Sequence, residues 1–137
     1  MLPELHEAIQ SEGLASAVSD HLEQTREHGP RLEQVFRAVG AEPSSNLSPP
    51  VAKLAEHHDE LAGSFAGDRL ADVFHASAAA ATEHHELAAY ETLLALAPAV
   101  ELSDDARGLL ERNRAEEGEA LGRLQGELER LGGELRS

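Results

Sequence analysis

His21, Thr25 and His28 follow one another at intervals of four and three residues within SDHLEQTREHGPRLEQVF, Ser19 to Phe36. On a helix that spacing stacks them along one face. The same face is otherwise apolar, with Leu14 and Val18 before them, Leu22 among them and Leu32, Val35, Phe36 and Val39 after. A polar group on a core face is costly unless it is paired or binds a metal, so this stripe asks for partners. Two later stretches offer them. Glu83, with His84 beside it, falls on the stripe Val73, Ala76, Ala80, Leu87, Tyr90 and Leu94. Asn113 and Glu117 fall among Ala106, Leu110, Leu121, Leu124, Leu128 and Leu131. Imidazole and carboxylate donors converging from three helices make a transition-metal site. His21, His28, Glu83, His84 and Glu117 are therefore the candidate ligands. Taken singly, each also reads as a hydrogen-bonded core residue, His21 most of all and leucine-flanked Glu117 least. Without a cation, burial is expected to raise the pKa of Glu117, and Glu117→Leu is then expected to stabilise the protein.

Composition sets the frame that holds these residues. A chain of 137 residues forms one domain, 1–137, with a core of useful size. Apolar residues make up 41% but aromatics only 3%, so the core must come from Leu, Ala and Val. That mixture, rich in Glu and poor in β-branched residues, is a helical one. A formal net charge of −15 argues against nucleic acid and against anionic membranes as partners. The absence of cysteine excludes disulfides and thiol catalysis. No apolar run approaches the roughly 18 residues of a spanning helix, and no leader pattern opens the chain, so a cytoplasmic location is expected.

In chain order, a short helix is predicted from Leu2 to about Gln10. The central helix follows from Leu14 to Val39, stopped by Gly40. Gly29-Pro30 interrupts it, because proline removes the bond to the Arg26 carbonyl, and a kink or a full break is expected there. A loop dense in Pro, Ser and Asn leads to a short crossover helix, Val51 to Phe65, with Ser48 as its cap and His58 on its inner side. Asp68 caps a long helix from Arg69 to about Ala97, ended by Pro98. Ser103, backed by Asp104 and Asp105, starts the last helix, which frays at Gly132-Gly133. Gly118, Gly122 and Gly126 recur opposite its leucines, either for close approach of another helix or on a solvated face. No alternating strand pattern occurs. The fold predicted is an all-α antiparallel bundle.

At this point three segments resemble a known family. HLEQTREHGPRLEQVF looks like the second-helix signature of the YciE/YciF-type ferritin-like stress proteins, H-L-E-E-T, then H, then R-L-E. TEHHELAAYETLL is similar to the third helix, where a carboxylate–histidine pair precedes E-x-A-A-Y. LLERNRAEEGEALGRL resembles the fourth-helix segment built on a Glu-Glu-Lys core. The resemblance spans nearly the whole chain. It implies a ferritin-like antiparallel four-helix bundle, commonly dimeric and linked to stress responses, with iron or manganese held at positions matching His28, Glu83 and Glu117. The departures imply a reduced site. The family's glutamate on the first half-helix falls before Leu2, Gln24 replaces a second glutamate, and Leu121 stands where a carboxylate is usual. One metal ion at most is expected, in a homodimer. The competing readings are a metal-free interaction module and a working two-metal oxidase.

Overall fold

The computed structural model describes residues 7–43, 49–65, 67, 68 and 70–136. The predicted first helix, Leu2 to Gln10, lies mostly outside them, as does the Ser48 cap. Four α-helices follow: α1 (Glu12–Ala38), α2 (Pro49–Phe65), α3 (Ala71–Leu96) and α4 (Asp104–Glu134), with a 3-10 turn at Ala97–Val100. Three of the starts have a visible local cause. Ser11 Oγ accepts the Leu14 N–H at 3.3 Å, and Ser103 Oγ accepts the Ala106 N–H at the same distance. The Asp68 carboxylate accepts the Leu70 N–H at 2.8 Å, which shapes the turn into α3, and regular helix begins at Ala71, two residues later than expected. At the other ends Gly40 takes φ +69° after α1, as predicted of a helix stop. Gly132-Gly133 does not end α4, which continues to Glu134.

Pro30 does not break α1. The helix is continuous from Glu12 to Ala38, which excludes the full break that was the alternative to a kink. Pro30 and Arg26 are both exposed, so water can take the carbonyl that proline leaves without a donor. The loss therefore falls on the solvent side, away from the packed face.

Cross-helix pairs fix the directions. On α4, Arg123, Glu117 and Asn113 meet Asp20, His28 and Arg31 of α1, so the two run antiparallel. α3 is also antiparallel to α4, with Tyr90 on Asn113. Consequently α1 and α3 run parallel, and His21 meets Glu83 as His28 meets Tyr90. Parallel neighbours require a connection that returns along the bundle. α2 makes that return and packs against α3, as the crossover reading expected. The result is an all-α, ferritin-like bundle.

Leu14 and Val18 of α1, Ala76, Ala79 and Ala80 of α3, and Leu121, Leu124 and Leu131 of α4 form the core. The alanines of α3 let α4 approach closely. The Asp72 carboxylate at the start of α3 accepts the N–H groups of Gln10 at 3.0 Å and Ser11 at 2.6 Å, tying the entry of α1 to that helix. Gly118, Gly122 and Gly126 are exposed, with nothing within 4 Å of where a Cβ would stand, so no helix among the described residues uses them for close approach.

At the opposite end, the apolar residues of the α1 stripe are only partly covered. Leu32, Val35 and Phe36 line an apolar groove of about 220 Å³ with Leu93, Leu96 and Val100. Val39, Leu93, Leu96 and Val100 are 41–57% exposed there.

Candidate metal centre

Midway along the bundle the core turns polar. His21 from α1, Glu83 and Glu86 from α3, and Glu117 from α4 each offer a ligand atom, all within 4.8 Å of one another. His21, Glu83 and Glu117 are buried, and Glu86 is half-buried. His21 Nε2 lies 3.1 Å from Glu83 Oε2 and 3.2 Å from Glu117 Oε2, close enough for ion pairing. It is aligned for a hydrogen bond to neither. Both His21 nitrogens, both Glu83 oxygens and Glu117 Oε2 are buried without a hydrogen-bond partner. Buried polar atoms are normally satisfied, so such a concentration of orphans calls for an explanation. A divalent cation supplies one, since one nitrogen and three carboxylate oxygens suit iron or manganese.

Next to this group lies a fully bonded network. His28 Nδ1 is 2.8 Å from Glu117 Oε1, and its Nε2 is 2.8 Å from Glu116 Oε2. Arg31 Nη1 donates to Glu116 Oε2 at 2.7 Å and to Asn113 Oδ1 at 2.9 Å. Asn113 Nδ2 in turn donates to the Tyr90 hydroxyl at 3.1 Å and to the His28 carbonyl at 3.4 Å. His28 is thus held by two carboxylates and fixes the orientation of Glu117.

These surroundings sort the carboxylates. Burial would lower the pKa of His21, but its contacts with Glu117 and Glu83 override this and raise it to about 10. His28 is raised in the same way, by Glu117 and Glu116 against burial. Burial pushes Glu83 up to about 7, and pushes Glu86 up to about 8 with the charges of Glu117 and Glu83 added. Glu117 goes the other way. Burial opposes its charge, yet His21 and His28 hold it well below the usual carboxylate range. The expectation of a raised Glu117 is therefore corrected: two imidazoles pay its desolvation, and Glu83 and Glu86 carry the raised values.

Of the five candidate ligands, His21, Glu83 and Glu117 share the cluster and His28 adjoins it. His84 does not, because it is exposed on the far side of α3. Glu86, Glu116 and Arg31 were not singled out from the sequence. Glu86 had a signal, as it stands three residues from Glu83 on the same helix. Arg31 had the same one, three residues after His28.

Helical donors around a bundle axis, carboxylate-rich and antiparallel, define a ferritin-like helical protein. Within that class the chain belongs to the family described as "Domain of unknown function (DUF892)", which matches residues 1–134. It is also similar to a solved structure, "YcfI, a putative structural protein from Rhodopseudomonas palustris", with 35% identity and a TM-score of 0.83. That likeness covers 90% of this chain and 78% of the other. No curated protein matches. Among the described residues no helix is long and apolar enough to cross a membrane.

Proposed function

We propose that this chain is a stress-linked ferritin-like protein whose core holds a single iron or manganese ion, bound by His21, Glu83, Glu86 and Glu117. The observation that carries this reading is the set of buried ligand atoms without hydrogen bonds. The stress link rests on the three helix motifs. A bound ion would supply Lewis acidity and one-electron exchange inside the bundle. The protein's own part is to fix the donors. His28 and Glu116 orient Glu117, and the Asn113 network holds Arg31 in place.

Arg31 also bears on the number of ions. Its buried guanidinium sits 2.7 Å from Glu116, and so places a fixed positive charge beside His28. A second ion next to His28 would face that charge, which supports one ion rather than two. Protein purified without chelator is expected to carry one iron or manganese per chain by elemental analysis, and Glu83→Gln/Glu86→Gln should lose it. Two ions per chain would restore the oxidase reading. None, even after loading with manganese, would favour the metal-free module, in which the proton on His21 closes the cluster.

The apolar groove at the Leu96 end is the face by which two copies would pair. A chain of net charge −15 repels its own copy except where that charge is absent, and among the described residues no charged side chain lines this groove. Wild-type protein is expected to sediment as a dimer at micromolar concentration, and Leu96→Glu as a monomer. A wild-type monomer under those conditions would overturn the pairing.

A further inference from the structure

A second group of titratable side chains lies away from the metal centre, where α2 meets α3. His58 Nε2 is 3.2 Å from His75 Nδ1, and the ring centroids are 5.5 Å apart. The centroid separation exceeds the nitrogen separation by about two ring radii, so the two nitrogens face each other head-on. His58 and His75 are 8% and 6% exposed, so both rings are largely shielded from water while α2 is docked. Phe74 stacks on His58 at 5.3 Å, and Phe65 on Phe74 at 5.1 Å. A cavity of about 160 Å³, lined by Leu54, His57, Ser77 and Ala81 among others, opens beside them.

We propose that the His58–His75 pair is an acid-sensitive latch that holds α2 against α3. One nitrogen must donate and the other accept. A neutral pair satisfies this, and so does a pair carrying one extra proton. With a second extra proton two N–H groups confront each other inside the interface, and the hydrogen bond becomes repulsion. Other charges do little to prevent this. Asp59 of α2 stands 3.5 Å from His58 Nδ1 but is itself exposed. Asp72 of α3 is occupied by the backbone of Gln10 and Ser11. His57, on the cavity wall, brings a third imidazole and no anionic group. On the other side of α3, α1 and α4 bring apolar residues such as Leu14 and Leu124 to Ala76 and Ala79, and the charges that act on His75 are those of His58 and Asp72. Burial first, and then His58, hold His75 below its ordinary value against the pull of Asp72.

The sign follows. For a histidine whose pKa falls on folding, docking is unaffected above the unfolded value of 6.5 and weakens as pH drops below it. Since α2 packs on α3 and makes no comparable contact with α1 or α4 among the described residues, its release leaves the core standing.

Hydrogen exchange read by mass spectrometry on the full chain tests this at pH 7 and pH 5, corrected for the intrinsic exchange rate. Protection of α2 amides is expected to fall at least tenfold at pH 5, with α1 and α4 unchanged. Equal protection of α2 at both pH values would overturn the latch. In His75→Gln, which keeps a neutral hydrogen-bonding group, α2 should stay protected at pH 5. Acid release undiminished in that variant would also overturn it. Should His75→Gln fail to dock at pH 7, histidine titration by NMR on the wild type decides. Two coupled steps, the second below the ordinary histidine range, support the latch, and independent titration of both rings near 6.5 refutes it.

Discussion

Glu117→Leu is expected to destabilise the metal-free protein by about 3 kcal/mol, the lower end of the range for removing one partner of a buried ion pair. The side chain is 1% exposed and touches His21 at 3.2 Å and His28 at 2.8 Å. Leucine would fill much of the volume but remove the negative charge that faces both imidazoles. His21 would keep Glu83 and His28 would keep Glu116, which limits the loss. The sign is opposite to the one that burial alone suggests for this residue, because the structure supplies two cationic partners that a helical stripe does not reveal. Urea unfolding after chelation measures the effect. Manganese should widen the gap between wild type and variant, since only the wild type gains binding free energy. Equal stability after chelation would mean that the pairing of Glu117 with the two histidines contributes nothing to the fold.

Alkaline loss of stability is the second large effect, again in chelated protein. Glu83 and Glu86 have folded-state pKa values raised from 4.5 to about 7 and about 8. A raised value means that the folded state binds the proton more tightly, so the stabilisation is complete below 4.5 and is lost as pH rises through 7 and 8. His21, raised from 6.5 to about 10, adds its own loss between those two values. Glu117 is lowered, and its contribution disappears instead as pH falls below 4.5. Stability should therefore peak in mild acid and decline steadily towards pH 9. Bound manganese would replace those protons and flatten the decline. Thermal melts between pH 4 and 9, with chelator and with manganese, read both curves. A flat chelated curve would show that Glu83 and Glu86 ionise freely in the folded protein.

The helices were legible because their punctuation is local. Ser103 and Gly40 act where they stand in the chain. The stripes on α1 and α4 were legible too, since each of these helices buries one side. Even Asn113 and Glu117 fell on the right face. α3 was harder, because it is covered on one flank by α2 and on others by α1 and α4, and no single stripe describes it. The choice of His84 over Glu86 illustrates this. One residue beyond Glu83 turns the helix by about 100°, whereas three residues return it to within about 60°. Adjacency in sequence drew attention to His84, while the geometry of the helix favoured Glu86. Arg31 was hidden for another reason. Arginine is rarely buried, and only Asn113 and Glu116, more than eighty residues later, make its position tenable.

The parallel arrangement of α1 and α3 has a consequence for the order of assembly. α3 and α4 form an antiparallel hairpin across a short turn, so their contacts close a small loop. The contacts of α1 with α4 span some eighty residues or more, and such distant pairings come at a greater entropic cost. The hairpin alone gathers Glu83, Glu86 and Glu117 with no cation among them. His21, His28 and Arg31 all arrive on α1. In this chain the helix that joins last carries the counter-charges, so the hairpin's own repulsion favours recruiting it.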